Sequence, residues 1–335
     1  MRSPAILLTI AFTASMAATF AAQEAVPAPT ILGEGRHRYR WVEEGFRLAD
    51  GADLGNTHGC IVIDHEGRVY VNTDTEKAVC VFDAEGRFLE AWGKEFAGGL
   101  HGMTLVVEDG KEYLWLAHTA RHEAVKTTLK GEVLATIGVP MESGRYEDAG
   151  QYHPTSVVVA PNGDIYVADG YGRSWIHRFS KDRKYLGSFG GPGTEPGKLR
   201  TPHGMLLDDR GDEPVLLVAD RENHRLQSFS LDGRHLGVFA GNLRRPCNIQ
   251  RMGDAIVVAD LAGRVTILDR KNDLVCHLGD NPDESLRAQN GVPKEKWVIG
   301  RFLSPHASAV DPRGNLYVMD WNSLGRVRRL VRVDG

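Results

Sequence analysis

The amino-acid sequence predicts an all-β fold, a six-bladed β-propeller whose ring is closed by an N-terminal strand. Three observations lead there. A unit of four short apolar runs recurs six times along the chain, the runs are separated by Asp-Gly, Asn-Gly or Glu-Gly pairs, and helical periodicity is absent. Four strands in every ~40–50 residues, turned by glycine pairs, is the pattern that propeller blades require.

In chain order, residues 1–22 read as a secretory signal peptide. Arg2 supplies the positive start, Ala5 to Ala18 is a small-residue apolar stretch, and Thr19 to Ala22 offers a cleavage site. The stretch is too short and too rich in alanine for a good membrane anchor. Residues 23–35, with Pro27 and Pro29, are expected to be a flexible lead, and 36–335 the propeller. The expected location is secreted or periplasmic, with no membrane association after cleavage. A formal charge of -4 with both signs interspersed leaves no basic stripe for nucleic acid. Cys60 and Cys80 are expected on the first and third strands of one blade, ~10 Å apart. That is too far for a disulfide, so the four cysteines are expected to be mostly free, buried thiols.

The clearest unit runs from Pro202-His-Gly through Val215–Asp220 and Arg225–Phe229 to Asp232–Phe239; a second runs from His153 through Ile165–Asp169 and Trp175–Phe179 to Tyr185–Gly190. The six units are led by His58, His101, Thr155, His203, Cys247 and His306, at intervals of 43, 54, 48, 44 and 59 residues. The variation sits in connections such as 141–152 and 280–301. The last unit has strands near 307–310, 316–320 and 326–331, and its missing outer strand is expected from Tyr39 to Glu43. Such a closure removes two open sheet edges. Asp169, Asp220, Asp260 and Asp320 end the second runs and read as structural turn caps. The glycines from Gly190 to Gly197 are not followed by a helix, so they read as an inter-blade connection rather than a phosphate loop.

The innermost strand of each blade lines the central channel, so the leading residues converge near the axis. Four of those six are histidine, out of 13 in the chain. His101, His203 and His306 lie on alternate blades and should surround the axis evenly. Three neutral imidazoles with positions left open suit a catalytic Zn2+ or another divalent transition metal. The plainer alternative is that they only hydrogen-bond backbone at the channel mouth. His58 breaks the three-fold set and is read as a fourth ligand, a partner of the ligands or a proton carrier. Cys247 reads as a buried bystander. His118 and His122 would share a face only on a helix, and this segment is not one.

The repeated unit resembles the NHL repeat. Asp169-Gly-Tyr171, then Pro202-His-Gly, then Val218-Ala-Asp-Arg-Glu-Asn223 resemble the core of the peptidyl-α-hydroxyglycine α-amidating lyases, over roughly residues 56–331. The resemblance implies an axial zinc on His101, His203 and His306, with Tyr171 as active-site base and Arg221 on the substrate. It also implies a small-molecule or peptide substrate at the channel mouth, released as amide and glyoxylate. Three positions depart from the pattern. The family's second arginine is replaced by Asn72-Thr-Asp74; its calcium-binding aspartate is Ala307, so a Ca2+ ion is possible only without that ligand; and the cysteine after its tyrosine is Gly172. The expected function is a metal-dependent lyase with Tyr171, Arg221 and His58 as catalytic residues. The alternatives are a non-catalytic NHL propeller that binds a ligand or protein, and a metal-dependent hydrolase on the same scaffold.

Overall fold

The computed structural model describes residues 28–333, so the expected signal peptide lies outside the described residues. Six antiparallel sheets are arranged as six blades, five of them four-stranded meanders in chain order and the sixth five-stranded. The blades span residues 61–92, 100–137, 156–190, 202–240 and 246–278, with the sixth formed by 305–332 and 31–41. Short 3-10 turns such as Lys94–Phe96 and Arg221–Asn223 are the helical elements of the described chain.

Ring closure follows the expectation. The strand His37–Trp41 pairs antiparallel with Arg326–Arg332, setting Tyr39 opposite Arg332 and Trp41 opposite Leu330. A second junction joins the start of the first blade to the sixth, where Thr57 and Asn322 exchange backbone hydrogen bonds of 3.0 and 3.3 Å. The flexible lead expected over 23–35 is corrected for its C-terminal part. Ile31–Glu34 forms a fifth strand on the outside of the closing blade, with Ile31 opposite Arg40. The physical reason is an edge: without it the closing strand would present unpaired backbone groups, and Leu32 gains apolar cover against the cluster around Trp41.

The core is divided among the seams. Six apolar clusters form, each built from strands of two neighbouring blades, such as Tyr70, Val81, Phe96 and Leu116 between the first and second. Alternate side chains of a strand point to opposite faces, so each blade feeds two seams at once. The hairpins turn on glycine as anticipated, with the glycine closing the turn. Gly163 (φ 85°) donates to the carbonyl of Ala160 at 2.8 Å, and Gly233 (φ 89°) to that of Ser230 at 2.9 Å. Left-handed backbone of this kind is open to glycine without strain.

The strand-ending aspartates are structural, as anticipated, and hold the approach to the axis. Asp220 accepts from the backbone N–H of Arg200 at 2.7 Å, Asp320 from Ser304 at 2.8 Å, Asp260 from Arg245 at 2.6 Å and Asp169 from His153 at 2.7 Å. Each bond pins the segment that leads into an innermost strand. Asp220, Asp260 and Asp320 also pair with Arg225, Arg264 and Arg326. Asp169 instead accepts from Tyr146 at 2.8 Å, whose hydroxyl also meets His177 Nε2 at 2.6 Å, and His177 Nδ1 meets Ser188 at 2.7 Å. The four cysteines are free, three of them buried. Cys60 lies one residue before the strand Ile61–Ile63 rather than on it.

Two outcomes are expected. Trp41 is buried against Phe302 with ring centroids 5.1 Å apart. Trp41→Ala should therefore lower the free energy of unfolding by about 3–5 kcal/mol in a denaturant titration; a loss under about 1 kcal/mol would show that ring closure does not rest on this seam. His177 is held neutral, its pKa lowered to about 3 by burial. Because the unfolded state takes up the proton first, stability is fully present above pH 6.5 and declines as pH falls toward 3. His177→Gln keeps a partner for Tyr146 and should show a shallower decline in denaturant midpoint across that window.

Candidate functional site at the propeller axis

The histidines that lead the second, fourth and sixth blades are brought together at the axis. His101, His203 and His306 are 2–3 % exposed, and their ring centroids are 4.6, 4.6 and 5.1 Å apart. Each turns Nδ1 onto a backbone carbonyl of the next blade: His101 onto Thr155 at 2.9 Å, His203 onto Cys247 at 2.9 Å, and His306 onto Gly59 at 2.8 Å. A carbonyl only accepts, so Nδ1 carries the proton and Nε2 keeps its lone pair. Burial holds all three imidazoles well below the ordinary histidine range, helped by His58 at His101 and His306 and by Arg221 at His203, so they are neutral near pH 7.

The glycine after two of these histidines has a geometric cause. A Cβ on Gly102 would lie 2.5 Å from the carbonyl oxygen of Thr155, and one on Gly204 2.3 Å from that of Cys247. These are the same oxygens that the two imidazoles grip. The His-Gly pair therefore lets the neighbouring strand approach close enough to be bonded.

Between these three imidazoles lie three edges, and each carries a different side chain. Tyr171 covers the edge between His101 and His203, its hydroxyl 3.2 and 3.0 Å from their Nε2 atoms. It arrives from the Asp-Gly-Tyr turn of the third blade, where a Cβ on Gly170 would lie 2.4 Å from the Pro202 carbonyl. His58 covers the edge between His101 and His306, 5.0 Å from each ring. Cys247 covers the edge between His203 and His306.

The donor atoms of His58, His101 and His306 lie within 4.8 Å of one another, as do those of His203, Cys247 and His306. The anticipated set of His101, His203 and His306 is thus divided between two groups that share His306. Cys247, read from the sequence as a bystander, is a potential ligand by position, and burial pushes its thiol up to about 11.

The arrangement fits a cation on its own chemistry. The donors are unprotonated imidazole nitrogens of locked orientation, and the buried Nε2 of His306 has no hydrogen-bond partner. A channel of about 350 Å3 continues past the three rings, lined by Cys60, Thr155, Cys247 and Asn248 among others.

Arg221 donates from Nη1 to the Tyr171 hydroxyl at 3.2 Å and from Nε to Glu222 at 2.9 Å, with its guanidinium 5.3 Å from the centre of the tyrosine ring. Arg245 meets the same Glu222. Burial pushes the Tyr171 phenol above its ordinary value and Arg221 is the main opposing influence. The protein's own groups therefore favour the protonated phenol at Tyr171. Asp74, missed in the sequence, lies 3.7 Å from His58 Nδ1. It follows the second strand of its blade, the stretch that carries an aspartate in other blades, and that register was a signal for it.

The NHL repeat model matches residues 152–179. The chain is 28 % identical over 252 residues to a probable peptidyl-alpha-hydroxyglycine alpha-amidating lyase of Caenorhabditis elegans, covering 72 % of this chain and 67 % of that one. It is 28 % identical over 270 residues to peptidyl-alpha-hydroxyglycine alpha-amidating lyase 1 of Drosophila melanogaster, covering 74 % and 47 %. The chain thus spans between about half and two thirds of the length of these relatives. A streptogramin B lyase structure superposes with a TM-score of 0.60 at 15 % identity, covering 87 % of this chain and 97 % of that one, a likeness of fold.

Asn72, the first residue of the Asn72-Thr-Asp74 stretch, is wholly buried. Its amide donates to the carbonyls of His58 at 3.0 Å and Leu100 at 2.7 Å, and its oxygen accepts from the N–H of Cys60. The amide lies so close to the Gly59 backbone that a Cβ added at Gly59 would come within 2.1 Å of its nitrogen. Asn72→Ala should lower unfolding free energy by about 3 kcal/mol, from three lost hydrogen bonds and stranded buried carbonyls. Asn72→Arg should be no more stable than the alanine variant in the same urea titration; near wild-type stability would mean that the site can accept the family's guanidinium.

Proposed function

We propose that this NHL-repeat six-bladed propeller, which resembles the peptidyl-α-hydroxyglycine α-amidating lyases, is an exported metal-dependent lyase acting on a small hydroxylated, amide-containing substrate at the channel mouth. The observation that carries the reading is the convergence of His101, His203 and His306, each with Nδ1 locked on a neighbouring blade, beneath Tyr171 and Arg221. A binding platform has no need of that combination. The names of the two relatives above, at 28 % identity, support the same reaction class.

His101, His203 and His306 would hold a divalent transition ion such as Zn2+, which supplies Lewis acidity toward a hydroxyl oxygen. The rest of the chemistry falls to side chains. At rest the Tyr171 hydroxyl is surrounded by two acceptors, the Nε2 atoms of His101 and His203, and one donor, Arg221. With those lone pairs committed to an ion, the phenol loses its acceptors and keeps the donor, a change that favours its deprotonated form. Tyr171 Oη would then take the proton of the substrate hydroxyl as that oxygen becomes the aldehyde carbonyl and the carbon–nitrogen bond breaks, and pass the same proton to the departing amide nitrogen, which restores the phenolate. Arg221 remains charged and faces an anionic or carbonyl group of the substrate, stabilising negative charge that develops beside Tyr171. Neither Asn72 nor Asp74 offers a positive charge on the first blade, so Arg221 would hold the substrate anion without a second arginine.

Metal analysis of the purified protein and glyoxylate release from a peptide ending in α-hydroxyglycine test the reading together. Bound metal lost in His203→Ala, glyoxylate formation, and a drop of about 10²–10⁴-fold in Tyr171→Phe with folding retained are expected. A protein without metal, or His203→Ala with undiminished metal, overturns the reading. Metal without glyoxylate retains the centre and rejects this substrate.

A further inference from the structure

We propose that His58 is a fourth metal ligand, oriented by Asp74, so that the axial centre presents four imidazoles and suits an ion of five or six coordination rather than tetrahedral zinc. The inference rests on the metal-centre reading above and deepens it.

Position is the first argument. His58 lies over the longest edge of the imidazole triangle, the 5.1 Å one between His101 and His306, and its ring is 5.0 Å from both. These spacings match those within the triangle itself. Its donor atom falls within 4.8 Å of those of His101 and His306. Donors bound to one ion at ~2.1 Å lie no more than about 4.2 Å apart, so a contraction of about half an ångström brings His58, His101 and His306 onto one ion, and His306 links them to the group that holds His203.

Orientation is the second. The three inner histidines each commit Nδ1 to a carbonyl, while His58 turns Nδ1 toward the Asp74 carboxylate at 3.7 Å, beyond hydrogen-bond length but with an acceptor on that side of the ring. Asp74 is itself steadied by the side-chain amide of Asn56, which accepts from Asn290 at 2.8 Å. A carboxylate behind one ring nitrogen leaves the other for the metal and raises its basicity. A histidine placed only for packing has no use for this support.

Ligand number then decides the class of ion. Four protein donors close a tetrahedral ion and leave nothing for substrate. A centre that must also take a substrate oxygen needs a fifth or sixth position, which Fe(II), Co(II) or Ni(II) provides with imidazole ligands.

The test uses the full chain loaded with Co(II), whose visible absorption is weak in five- or six-coordinate sites and intense in four-coordinate ones. The wild type is expected to absorb weakly. His58→Ala should absorb intensely and bind Co(II) at least 10-fold more weakly, and Asp74→Asn should lose about 10-fold in affinity with its melting temperature kept. His58→Gln checks that any change is not misfolding, by keeping the wild-type melting temperature without the ligand. An intense wild-type spectrum that His58→Ala leaves unchanged overturns the inference while the metal centre stands. A thiolate-to-cobalt charge-transfer band removed by Cys247→Ser gives the fourth position to Cys247 and equally overturns it. A wild type that binds no cobalt overturns both this inference and the metal centre.

Discussion

Three hydrogen bonds, from the Nδ1 atoms of His101, His203 and His306 to carbonyls of the next blade, couple the site to the ring. Each imidazole is oriented by a strand it does not belong to. The rings can converge only when the blades are assembled, and the blades can approach that closely only where the backbone lacks a side chain, as at Gly102 and Gly204. Closure by His37–Trp41 and the Thr57–Asn322 junction therefore matters to the chemistry as well as to stability, because the His306–Gly59 bond crosses the seam between the last blade and the first.

The three edges of the imidazole triangle explain how a repeated scaffold acquires direction. The even blades supply the same side chain, while the odd blades supply a nitrogen, an oxygen and a sulfur from His58, Tyr171 and Cys247. Charge is divided in the same way. Arg221 and Arg245 stand on the side of the fourth and fifth blades, and Asp74 on that of the first. Glu222 pairs with both arginines, so one net positive charge on that side faces the Asp74 carboxylate across the mouth.

Much of the fold was legible because blades are local. Strand alternation, glycine turns and the strand-ending aspartates are short-range features, and the Asp220–Arg200 or Asp320–Ser304 bonds that they form lie within one unit. The outer strand Ile31–Glu34 was not legible. Its pairing depends on an edge created by two segments nearly three hundred residues apart in sequence, Tyr39 and Arg332. The alternate-blade histidines were legible through the repeat register alone. Asp74 was harder, since nothing in the local sequence says that a residue beyond a second-strand end reaches the axis, and Cys247, placed at the axis by the same register, was discounted there only as a bystander.

The sequence by itself determined the number of blades, the residues that lead them and which of those could meet, since each follows from periodicity and from the turn chemistry of glycine. Only the tertiary structure decided which nitrogen of each imidazole is free, that Tyr171 rests as a phenol between two acceptors, and that Asn72 is committed to three backbone partners on neighbouring segments. Those facts depend on carbonyls, burial and crowding contributed by neighbouring blades, and such contributions exist only once the ring has closed.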